Sequence, residues 1–170
     1  VVVPAPDPSV VEPLRWTLIA AALTPMDEAG VVDPDRCGAY YARLVAGGAD
    51  ALAIGAHTGR GTFLPAATRE RLIATATGLG VPVVAGVAHD DRAGAEAAAR
   101  AGADALLVIP PENASVSTAV EAHDRLYRAV GLPMIAFDMY THPYPMPVLC
   151  AVLDHPGVVA FKPARLHDAV

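Results

Sequence analysis

Lysine is all but missing from this 170-residue chain: of twelve basic side chains eleven are arginine. The one lysine, Lys162, closes the apolar run Gly157-Val-Val-Ala-Phe-Lys162. Guanidinium groups stay protonated, whereas a desolvated lysine can lose its proton and attack a carbonyl carbon, so Lys162 is the first candidate for chemistry. Cysteine is scarce too. Cys37 and Cys150 stand far apart in expected helices without metal-like neighbours, and both read as reduced core thiols of a cytoplasmic protein. There is no basic cluster, and a net charge of -6 argues against a nucleic-acid partner. No apolar run reaches the length of a membrane span, so no membrane partner is expected. Neither His-x-His nor His-Glu-x-x-His occurs, and no Gly-x-Gly-x-x-Gly follows the first strand. A dinucleotide-binding sheet thus has little support, and no cofactor or metal is expected.

What is present suits one domain with a sizeable core, since 54% of residues are hydrophobic and only 18% charged. Residues 1–15 open with four prolines in the first fourteen positions and read as a flexible leader rather than a signal peptide, leaving 16–170 as the domain. Strands are expected at Trp16–Leu23, Ala49–Ile54, Val81–Gly86, Asp104–Ile109, Pro133–Phe137 and Val158–Lys162. Between them, helices are expected from the Asp33-Pro34 cap to Ala46, where Gly47-Gly48 stops the first, and at Pro65–Gly78, Asp90–Ala101, Ser117–Val130 and Pro147–Leu153.

Short apolar strands alternating with helices imply an α/β fold of parallel βαβ units covered on both faces. An internal repeat points to a barrel. Ala-Asp-Ala-Leu around Asp50 returns around Asp104, 54 residues on, and Gly80-Val-Pro-Val-Val-Ala-Gly86 returns as Gly131-Leu-Pro-Met-Ile-Ala-Phe137, 51 residues on. Each offset is about two βα units of a TIM (βα)₈ barrel. Six strands do not close such a barrel, so the sequence reads as a piece of a longer protein or a truncated form with an exposed edge.

In a (βα)₈ barrel the functional groups gather at the carboxyl ends of the strands. Those positions hold Gly55-Ala-His57-Thr58-Gly59-Arg60-Gly61, His89-Asp90-Asp91, Glu112-Asn113, Asp138-Met-Tyr140-Thr-His142, and Lys162 itself. The amides and hydroxyl around Thr58 could hold a carboxylate, with close backbone approach allowed by glycine; the alternative is a turn that merely needs glycine.

In this order, Thr24-Pro-Met-Asp-Glu-Ala-Gly30, His57-Thr58-Gly59, Val83-Val-Ala-Gly86 and Val159-Ala-Phe-Lys162 resemble the dihydrodipicolinate synthase / N-acetylneuraminate lyase family, as a divergent member. The resemblance implies a class I lyase, a homo-oligomer (dimer or tetramer), and a small 2-oxo-acid substrate such as pyruvate held as a Schiff base on Lys162. It places the substrate carboxylate at Thr58 and Gly59 and counts Asp138 among the substrate-binding residues. The sequence departs from the family where a threonine is replaced by His57 and a glutamate by Arg60. The strand-five Tyr-Asn pair is Phe137-Asp138, and the strand-four loop reads Pro110-Pro111-Glu112 with no tyrosine pair. The departures argue against the synthase reaction of the diaminopimelate pathway. His57, and after it Tyr140, are the candidates to move the proton that the missing tyrosine would carry. Two other readings stay open: a metal held by His57, His89 and His142 with nearby carboxylates, and a family member without catalysis.

Overall fold

The computed structural model describes residues 4–164. Val1–Val3 of the expected leader and 165–170 of the expected domain lie outside the described residues. Ahead of the first strand come a single helical turn, α1 (Pro8–Val11), capped by the Asp7 carboxylate on the Ser9 amide, and a 3-10 turn at Glu12–Leu14. Tyr127 donates its hydroxyl to the Pro4 carbonyl, which ties this segment to the body.

Five βα repeats and a sixth strand follow in chain order. The strands are β1 (Ile19–Ala21), β2 (Ala51–Ile54), β3 (Val83–Ala88), β4 (Ala105–Ile109), β5 (Met134–Asp138) and β6 (Val158–Pro163). The helices are α2 (Pro34–Ala46), α3 (Ala66–Thr77), α4 (Arg92–Arg100), α5 (Val116–Val130) and α6 (Met146–Leu153). All strands are parallel and ordered β1-β2-β3-β4-β5-β6, so the sheet is an open half-barrel with β1 and β6 at its edges.

Local chemistry explains the boundaries. Asp33 accepts from the Asp35 and Arg36 amides with Pro34 in the first turn, and Ser115 with Thr118 makes a capping box for α5. The repeated Ala-Asp-Ala has a job in both copies. Asp50 accepts from the Leu18 amide and Asp104 from the Val83 amide, each at 2.8 Å, which fastens the start of one strand to its neighbour. β1 is shorter than the expected Trp16–Leu23. Trp16 has a left-handed backbone (φ 60) and is 94% exposed, and Leu23 points to solvent, so only three residues pair with β2.

The sheet separates two apolar layers. On its convex side Tyr41, Leu52, Ile54, Leu72, Val83, Leu106, Leu126 and Met134 pack under the helices. On its concave side Ala53, Val84, Ala105, Leu107, Ile135 and Phe137 face the barrel axis, with Leu14 and Ile19 packed against them. Cys37 is buried in the convex layer, but Cys150, expected in the core, is exposed. The reason is helical phase: α6 buries Val148 and Val152, four residues apart, and turns Cys150 outward. No helix among the described residues is long and apolar enough to cross a membrane.

Candidate active site

Lys162 reaches the concave face because of a one-residue irregularity. Met134 pairs with Val158, but Ile135 pairs with Ala160, so Val159 is an extra residue in β6. A straight strand would set Lys162 opposite Asp138 and turn it toward the helices, because side chains alternate faces along a strand. The bulge sets it opposite Phe137, whose ring lies on the concave face. The Lys162 Nζ sits 3.9 Å from the centroid of that ring. Burial on this apolar wall lowers the lysine pKa below its ordinary value of 10.5, because the charged ammonium is desolvated.

The loop after β2 turns back over the sheet. Arg60 donates its amide to the His57 carbonyl, and the Thr24 hydroxyl donates to the Gly59 carbonyl at 2.7 Å. Its glycines serve backbone packing. A Cβ on Gly59 would meet the Ala22 carbonyl oxygen at 2.8 Å, and one on Gly61 or Gly86 would overlap the Gly55 carbonyl. Thr58 is exposed at the top of this turn. Among the described residues neither the Thr58 and Gly59 amides nor the Thr58 hydroxyl has a hydrogen-bond partner. Adjacent backbone amides without a partner beside a hydroxyl are suited to an anion.

His57 and Tyr140, from loops after β2 and β5, meet across the mouth. Their ring centroids are 5.6 Å apart and the rings are edge to face at 86°. Tyr140 tops a tight turn in which the His142 amide donates to the Met139 carbonyl. Asp138 is buried, and its carboxylate accepts from the Tyr144 amide at 2.8 Å, so it braces this same loop. Arg60 stacks on Phe63, 5.5 Å from the ring centroid, outside this group.

One pair was not legible in the sequence. His142 Nε2 and Glu112 Oε1 lie 2.8 Å apart, joining the loops after β4 and β5. The residues are thirty positions apart, and the only available signal is that each follows a strand end by a few residues. Among the described residues no group of three or more His, Cys, Asp or Glu side chains is arranged to hold a metal ion, so His57, His89 and His142 do not form one donor set.

A family model, the dihydrodipicolinate synthetase family, matches residues 16–152. The chain belongs to the dihydrodipicolinate synthetase family. It is 32% identical to a 4-hydroxy-tetrahydrodipicolinate synthase of Kineococcus radiotolerans over 94% of this chain and 56% of that protein. With the 4-hydroxy-tetrahydrodipicolinate synthase 1 of Streptomyces coelicolor it shares 34% identity over 85% of this chain and 51% of the relative. Among solved structures, a dihydrodipicolinate synthase of Agrobacterium tumefaciens superposes with a TM-score of 0.79 at 29% identity, covering 88% of this chain and 55% of the other. The Acinetobacter baumannii synthase complexed with pyruvate superposes at 0.78 and 22% identity, over 88% and 55%, and shows the shared fold.

The chain spans about half the length of the curated relatives it matches. For this member of the dihydrodipicolinate synthetase family, the described sheet supplies six strands of a (βα)₈ barrel. The family model stops at residue 152, ahead of Lys162, so the face that Lys162 occupies rests on the β6 register.

Proposed function

We propose that this chain carries the carbonyl-binding side of a Schiff-base-forming 2-oxo-acid lyase of class I aldolase type, with pyruvate or a close analogue as substrate. The observation that carries the reading is the sole lysine, held on the concave wall at the carboxyl end of β6 with its amine desolvated. The neutral amine of Lys162 attacks the keto carbon, water leaves, and the resulting iminium draws electrons from C3. The Thr58 and Gly59 amides and the Thr58 hydroxyl hold the substrate carboxylate. Phe137 stands opposite Lys162 and has no proton to give, so the C3 proton passes to the His57–Tyr140 pair at the mouth. Asp138 serves the site by fixing the loop that carries Tyr140. Loss of hydroxide and carbon–carbon bond formation proceed from the enamine left by C3 deprotonation, whereas carbon–carbon cleavage runs from the iminium and leaves that enamine. A cytoplasmic homo-oligomer, dimer or tetramer, goes with this reading through the family.

Borohydride reduction in the presence of pyruvate tests it directly. Hydride adds to the iminium carbon and leaves a stable secondary amine. Mass spectrometry is expected to find the adduct on the Lys162 peptide of the intact protein, and Lys162→Arg is expected to lose it. An unmodified Lys162 under these conditions rejects the Schiff-base reading. Because burial lowers the Lys162 pKa, the neutral fraction is larger at a given pH than for an ordinary lysine. The trapping rate should therefore rise with pH and level off before pH 10.5.

A further inference from the structure

The hydrogen bond between Glu112 and His142 has no evident value as a stabiliser. Glu112 is 77% exposed, and pairs this open to water contribute little to folding. Its placement suggests another use. The His142 imidazole is held from both sides: the Thr141 hydroxyl lies 2.7 Å from Nδ1, and Glu112 lies 2.8 Å from Nε2. Glu112 only accepts, so Nε2 carries the proton of that hydrogen bond, while the Thr141 hydroxyl can donate to Nδ1 or accept from it. The His142 amide in turn donates to the Met139 carbonyl at 2.9 Å, closing a turn whose exposed members are Tyr140 and Thr141. At the foot of the same loop Asp138 accepts from the Tyr144 amide, and the Ala164 amide, just past Lys162, donates to the Asp138 carbonyl. The turn is thus anchored to the β4 loop on one side and to the Lys162 strand on the other.

We infer that Glu112 and His142 are positioning residues for proton transfer, latching the Tyr140 turn against His57 over the iminium carbon. The inference rests on the Schiff-base reading above. Tyr140 is 60% exposed and makes no hydrogen bond among the described residues, so its aim depends on the turn beneath it. A catalytic group displaced by about 1 Å can lose up to about a hundredfold in rate, which makes a latch on an exposed turn worth having.

Deuterium exchange at C3 of pyruvate in heavy water, read by NMR, reports proton transfer, and borohydride trapping reports the Schiff base. Glu112→Ala is expected to slow exchange about tenfold while the Lys162 adduct forms as before and the melting temperature holds. Glu112→Gln keeps an acceptor for Nε2 and should restore most of the exchange. In a Tyr140→Phe background, Glu112→Ala should cost nothing further, because both changes disable one unit. Unchanged exchange in Glu112→Ala, or a loss that multiplies with that of Tyr140→Phe, overturns the positioning role while the trapped adduct leaves the Schiff-base reading standing. Absence of the adduct from the unaltered protein overturns both.

Discussion

Gly86→Ala is expected to destabilise the chain by about 3 kcal/mol, at the upper end of the range for overpacking, and to weaken pyruvate binding more than tenfold. Gly86 lies on β3 where the backbone of Gly55 and Ala56 crosses it, and a Cβ there would overlap the Gly55 carbonyl. The obstacle is the main chain of Gly55 and Ala56, so no side-chain rotation relieves it. Gly55 itself has φ +65, a conformation that suits glycine, and from the other side it is pressed by Gly61. The added methyl must push the β2 loop outward, and that loop carries Thr58 and Gly59. Stability falls through strain and affinity falls through displacement, from one atom. Urea unfolding and pyruvate-dependent trapping measure the two losses separately. A Gly86→Ala protein with native stability and native pyruvate dependence would show that the glycine stack does not hold the loop.

The second large effect is acid lability. His123 is fully buried in α5; its Nδ1 donates to the Ala119 carbonyl at 2.8 Å, and its Nε2 has no partner among the described residues. Adding a proton at Nε2 would bury an unpaired charge, and burial pushes the pKa from 6.5 down to about 4. His155, 6.5 Å away between ring centroids, is lowered by burial as well; Asp124 at 3.9 Å is too distant to hydrogen-bond and offsets only part of that cost. A depressed folded-state pKa means that the unfolded chain takes up a proton which the folded chain refuses. The stabilisation is complete above pH 6.5 and is lost as pH falls toward 4, a cost of about 3 kcal/mol from His123 alone. His123→Leu removes the titrating group without stranding Ala119, whose carbonyl remains in the helix ladder. Its unfolding free energy should be much flatter between pH 6.5 and pH 4 than that of the parent chain. An equally steep loss in the variant would assign the acid limb to other groups.

Much of the scaffold was readable from sequence because it is written locally. The Asp33-Pro34 cap marks a helix start, and the Ala-Asp-Ala repeat marks strand starts through the same amide-to-carboxylate bond twice, whereas α5 starts at Val116 on a Ser115 cap, one residue ahead of the expected Ser117. The direction in which side chains face was not readable. Strands such as Val83–Ala88 and Ala105–Ile109 are apolar throughout because both faces are covered, so they carry no alternation to read. Lys162 could be recognised as unusual, but its turn toward the concave wall depends on pairing with β5. Glycines after β2 looked suited to ligand approach, whereas they accommodate the chain's own carbonyls. Contacts between loops, Glu112 with His142 and His57 with Tyr140, join residues far apart in sequence, and no spacing rule connects them.

The extra residue in β6 makes the strand a counted spacer, and this matters for anyone who moves the lysine elsewhere. Transplanting Val158–Pro163 onto a straight strand of another barrel would aim the amine into the helix layer, although every residue had been copied faithfully. The same graft without Val159 would present it to the lumen. For this strand the transferable unit is an odd or even number of residues, and the identity of the amino acids comes second.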